Sequence, residues 1–125
     1  MLFRSMMAEC FRAGQSIAIF PEGTTTERRD ISELRPALFE PALRLNVPIQ
    51  GVTLDYIPLS PRDNRRSVAW LGDDTFVPHF FRLLCCRGWV AKVHFQKPDA
   101  SHATRNEAAQ SIRMWMEASL CETVR

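Results

Sequence analysis

The segment Ser16-Ile17-Ala18-Ile19-Phe20 runs directly into Pro21-Glu22-Gly23-Thr24-Thr25, and this constrains the chain more than any other feature. A short apolar run of this kind reads as a buried strand. Pro21 ends it, because proline fixes φ and carries no backbone donor. Gly23 then permits backbone angles closed to other residues and lets a ligand approach the main chain. Glu22 is thereby presented on a rigid corner, with the hydroxyls of Thr24, Thr25 and Thr26 beside it. Such a corner is either a plain turn carrying a solvated carboxylate or one wall of a site, and local chemistry alone does not separate the two.

The rest of the chain alternates. Helical patterning is predicted over residues 3–13, a strand over 16–20, a polar loop over 21–33 and a helix over 35–45. Pro41 falls inside that last helix and should kink or shorten it, at about 3 kcal/mol unless compensated. A strand is predicted over 47–56, with Pro48 at its start, then a loop over 58–66 and a short strand over 67–71. Asp74 or Thr75 caps a phenylalanine-rich helix with Pro78 in its first turn. Phe76, Val77, Phe80, Phe81, Leu83 and Leu84 give that helix a wide apolar face, suited to covering a sheet or, as the alternative, to lying in a membrane interface; we take the covering role. Trp89 to Phe95 alternates as a strand. Thr104-Arg105-Asn106-Glu107 is a capping-box pattern that opens a final helix, whose Ala108, Ile112, Trp115, Met116 and Leu120 share a packing face. The whole predicts an α/β domain, a layered mixed sheet flanked by helices, filling residues 1–125 without linker or repeat.

With 16 Lys and Arg against 14 Asp and Glu, the net charge of +2 is too small to suggest nucleic acid as partner. The local clusters Arg28-Arg29 and Arg62, Arg65, Arg66 are solvated loops or contacts for anionic head groups. Cys10, Cys85, Cys86 and Cys121 form no CxxC pair and no metal-ligand spacing with His79, His94 or His102, so no metal site is expected. We read Cys85 and Cys86 as small buried apolar residues. No run of about 18 apolar residues is present, so no membrane-spanning helix is expected.

Phe20-Pro21-Glu22-Gly23-Thr24-Thr25 resembles the third motif of the glycerolipid acyltransferases, the family that includes the 1-acylglycerol-3-phosphate acyltransferases. The likeness continues on both sides. Ala13-Gly14-Gln15-Ser16 is similar to the family's glycine-containing lead-in to the strand. Leu38 to Leu45, followed by Val47-Pro48-Ile49-Gln50-Gly51-Val52, is similar to its next helix and fourth motif. Val68 to Thr75 and Pro78-His79 look like the bacterial branch.

The resemblance implies acyl transfer from a thioester, acyl-CoA or acyl carrier protein, to the hydroxyl of a lysophosphatidate-like lysophospholipid in phospholipid biosynthesis. No cofactor is implied beyond that co-substrate. By carry-over, Pro21, Glu22, Gly23, Thr24 and Thr25 bind the acceptor, and none of them is the catalytic base. The implied setting is peripheral, on the cytoplasmic face of the bacterial inner membrane.

The family's base, a His separated by four residues from an Asp, lies ahead of this motif together with an Arg-bearing second motif. No His or Asp precedes Phe20 here. His94 and Asp99 have the right separation, but they sit after a strand near the end of the chain, and we read them as a strand residue and a loop residue. The chain is therefore expected to be the C-terminal part of an acyltransferase domain, inactive by itself and prone to aggregate. The alternative is a non-catalytic remnant or lipid-binding module. Some family members carry Arg where this chain has Thr25, so the cation for an anionic acceptor is left open among Arg28, Arg29 and Arg35.

Overall fold

Three stretches, residues 2–23, 31–63 and 74–122, are described by the computed structural model. The first element is helix α1, Leu2–Arg12, and its Met7 is buried. Pro36–Leu38 forms a single 3-10 turn and Glu40–Arg44 forms the short helix α2. Pro41 accounts for that division. Its missing donor is harmless only in a first turn, and α2 begins so that Pro41 falls there. Asn46 follows α2 in the left-handed region, φ 51°, and the Val47 N–H returns to the Ala42 carbonyl at 2.8 Å, which closes the helix end.

Strand β1, Val52–Pro58, pairs antiparallel with β2, Trp89–Phe95, so that Val52 faces Phe95, Leu54 faces Val93 and Tyr56 faces Ala91. An isolated bridge between Ile49 and Asp99 extends the pairing. Among the described residues these two strands are the whole sheet. Among the described residues the architecture is thus a mixture of helices and a small antiparallel sheet, compatible with the expected α/β class. Residues 16–20, expected as a strand, have no ladder partner among the described residues. A strand exists only through its neighbour, and an apolar run cannot supply one for itself. The strand expected over 67–71 lies outside the described residues.

Helix α4, Arg105–Glu122, is the packing centre. Ala108, Ala109 and Ile112 meet Leu34 and Phe39 to form the core, with Ile31, Leu43, Ile49 and Met116 around it. Ile112 is only 2% exposed, and truncating such a residue to Ala costs about 2–5 kcal/mol. α4 also backs β1. The Thr53 and Ser119 hydroxyls hydrogen-bond at 3.0 Å, and Gly51 leaves room for the Trp115 ring.

Helix α3, Phe76–Leu84, departs from the expected covering role. Its Phe76, Val77, Phe80, Phe81 and Leu84 are exposed, and His79 is the residue it buries. Arg82 lies near His79, Nη2 to Nδ1 at 3.1 Å, and donates to Asp74 at 2.9 Å. Thr75 occupies the N-cap position without a side-chain capping bond. Cys85 is exposed and Cys86 partly so, which overturns the buried reading of both. Being adjacent at a helix end, they follow the outward-facing register of α3. No described helix is long and apolar enough to cross a membrane.

Candidate acceptor-binding corner

Phe20 to Gly23 closes a four-residue turn, with the Gly23 N–H donating to the Phe20 carbonyl at 3.2 Å. Pro21 is buried, Glu22 half-buried and Gly23 exposed, while Phe20 stands 82% exposed at the lip. Gly23 has φ +70°, a conformation that penalises any residue bearing a Cβ. The sequence requirement for glycine is therefore a backbone requirement first.

The returning chain is stitched to this turn at two points. The Ser32 N–H donates to Glu22 Oε2 at 3.0 Å, and the Arg35 N–H donates to the Pro21 carbonyl at 3.1 Å. Glu22 therefore clasps its own loop with one carboxylate oxygen, a structural duty that the sequence did not reveal.

Arg35 was one of three arginines open as the compensating cation, and its guanidinium lies against Gly23. A Cβ at position 23 would stand 2.8 Å from Arg35 Nη2, 2.9 Å from Cζ and 3.1 Å from Nε. Glycine thus also makes room for a cation beside Glu22. Nothing local in the sequence signals this contact, because it spans twelve positions and depends on the loop's return. Thr24 and Thr25, proposed as hydrogen-bonding partners of the acceptor, lie outside the described residues, as do Arg28 and Arg29.

His94 sits in β2 opposite Thr53, and Asp99 sits in the loop beyond, joined to Ile49 by main-chain bonds. The Asp99 carboxylate accepts from the Ser101 N–H at 2.8 Å and the Ser101 hydroxyl at 3.0 Å, and faces His102 Nε2 at 3.7 Å. These partners, the Ser101 N–H foremost, hold its carboxyl below the usual range. Asp99 thus serves to order its own turn. Among the described residues no group of three His, Cys, Asp or Glu is placed to hold a metal ion.

Residues 1–55 match the family model described as Acyltransferase, a span that contains the corner, Arg35 and the first residues of β1. Over 95 residues the chain is 34% identical to a lyso-ornithine lipid O-acyltransferase of Pseudomonas aeruginosa. The chain belongs to the glycerolipid acyltransferase family. The aligned region is 76% of this acyltransferase chain but only 35% of the length of its Pseudomonas relative. No solved structure matches it.

Proposed function

We propose that this chain forms the C-terminal, acceptor-binding part of an acyltransferase domain that esterifies the free hydroxyl of a lysolipid. The observation that carries this reading is the Pro21-Glu22-Gly23 corner, with its left-handed glycine, inside the segment that matches the family. In the reaction the hydroxyl oxygen attacks the carbonyl of an acyl thioester, from acyl-CoA or acyl carrier protein. The carbon–sulfur bond breaks, the ester bond forms and the thiol departs. An alcohol is a weak nucleophile at neutral pH, so a general base must take its proton as it attacks. The base and its orienting Asp are assigned to a His-x4-Asp segment outside these 125 residues, while Pro21, Glu22, Gly23, Thr24 and Thr25 hold the acceptor.

The acceptor is lysophosphatidate-like by family resemblance or lyso-ornithine lipid by the name of the relative, and catalysis is placed peripherally on the cytoplasmic face of the inner membrane. The test begins with the intact mass of the native protein. We expect a mass well above 14.4 kDa, with a His-x4-Asp segment in the added sequence. In that longer protein Glu22→Ala should lower acyl transfer to a lysolipid by about 10²-fold, the scale of a mispositioned substrate. Acyl transfer by the purified 125-residue chain would overturn the assignment of the base. A native mass of about 14.4 kDa would put a non-catalytic lipid-binding module in its place.

A further inference from the structure

We propose that Glu22 and Arg35 act together as a two-charge reader of the acceptor's head group, and that the head group they fit is zwitterionic, an ammonium beside an anionic oxygen group. This role rests on the lysolipid reading above and deepens it.

Three observations carry it. The guanidinium of Arg35 lies across Gly23, the immediate neighbour of Glu22, so a cation and an anion share one corner. Both are anchored to that corner, Arg35 through its N–H to Pro21 and Glu22 through Ser32. Among the described residues, finally, no carboxylate lies within ion-pairing distance of Arg35, and the recorded partner of the Glu22 carboxylate is a backbone N–H. Arg35 is exposed and Glu22 half-buried, and no ion pair joins the two.

Electrostatics then selects the ligand. A phosphate monoester carries nearly two negative charges near neutrality, and here it would meet one cation and one carboxylate, so repulsion from Glu22 offsets much of the attraction from Arg35. A zwitterion meets an opposite charge at each end. The planar guanidinium fork suits a carboxylate, which it can engage through two parallel hydrogen bonds. It can engage two oxygens of a phosphodiester in the same way, so amino-acid and phosphodiester zwitterions both fit, and binding to lipids of each kind tells them apart.

The experiment measures retention of the full 125-residue chain on neutral-detergent micelles doped with one of four lipids. These are lyso-ornithine lipid, lysophosphatidylethanolamine, lysophosphatidate and an uncharged monoacylglycerol. Wild type should bind lyso-ornithine lipid roughly tenfold more tightly than lysophosphatidate, the scale of one charge-assisted contact. Arg35→Gln should lose about that factor for both zwitterions, with Arg35→Lys recovering part of it. Glu22→Gln keeps an oxygen for the Ser32 N–H, so the turn survives. It should weaken zwitterion binding while strengthening binding of lysophosphatidate, a reversal that a merely structural role for Glu22 would not produce.

Binding that ignores both substitutions, or a wild-type preference for lysophosphatidate, overturns the two-charge reader and leaves the lysolipid reading standing. Preference for lysophosphatidylethanolamine over lyso-ornithine lipid keeps the reader and makes its anion a phosphodiester rather than a carboxylate. No retention on any doped micelle above plain detergent removes the lysolipid reading, and the reader with it.

Discussion

A methyl group at position 51 would stand 2.8 Å from Cε3 of Trp115 and 2.7 Å from Gln96 Oε1. The indole is the wall of a packed helix, so Gly51→Ala should cost about 1–3 kcal/mol, read as a lower urea midpoint at unchanged slope. Asn46 has a different constraint. At φ 51° it tolerates a conformation that Asn adopts more readily than other residues with a side chain, and Asn46→Ala should cost about 1 kcal/mol by the same measurement. Neither residue stood out in the sequence. The demand on Gly51 is made by Trp115, far along the chain, and that on Arg35 by a loop that returns to its own start. Gly23 was legible because proline and glycine signal their own backbone needs, whereas the side chains brought against them are chosen by tertiary structure.

Elements with local punctuation followed their signals. The Glu107 N–H donates to the Thr104 hydroxyl at 3.2 Å, and the Glu107 carboxylate reaches back to the Ala103 N–H at 3.0 Å. Thr104→Ala should therefore cost about 1 kcal/mol of stability. Pro41 divided its helix as expected, and β2 spans the residues its alternation indicated. The strand expected at residues 16–20 finds no ladder partner among the described residues, because pairing is not a local property.

Glu40 shows what joins the elements. It accepts from Arg44 in its own helix, from Arg105 at the start of α4 at 2.9 Å and from Arg4 of α1 at 3.2 Å. Arg44 first and Arg105 next hold its carboxyl below the ordinary value of 4.5. A carboxyl depressed in the folded state stabilises fully above its unfolded pKa, and that contribution is lost as pH falls through the folded value. Glu40→Gln should thus be less stable than wild type at pH 7, with the difference closing as pH drops below 4.5, seen in urea midpoints across that range.

At the scale of the whole molecule, two exposed faces among the described residues are apolar. The Phe80 ring of α3 contacts those of Phe76 and Phe81, and Val52, Leu54, Tyr56, Val93 and Phe95 form an uncovered face of the sheet. Monomeric soluble proteins rarely leave such faces bare. The 125-residue chain should bind an environment-sensitive apolar dye and self-associate as its concentration rises. Phe76→Glu with Phe81→Glu should raise the monomer fraction in sedimentation while leaving stability within about 0.5 kcal/mol. That α3 would be apolar was plain from its residues. Which way it faces was not, because a moment gives an axis and the neighbours decide whether it points in or out.

The sheet carries a consequence for the fidelity of pairing. Strands usually keep register because a slip of one residue throws their apolar side chains into water. In β1 that safeguard is reversed, since Thr53 and Asp55 are buried and Val52, Leu54 and Tyr56 are exposed. Oil does not defend this alignment. A lock of two parts does, the hydroxyl pair of Thr53 and Ser119 and the notch at Gly51 that receives Trp115. With Thr53→Val and Gly51→Ala together, β1 should sample a second alignment against β2, visible as duplicated amide resonances from residues 89–95, while either change alone keeps one set.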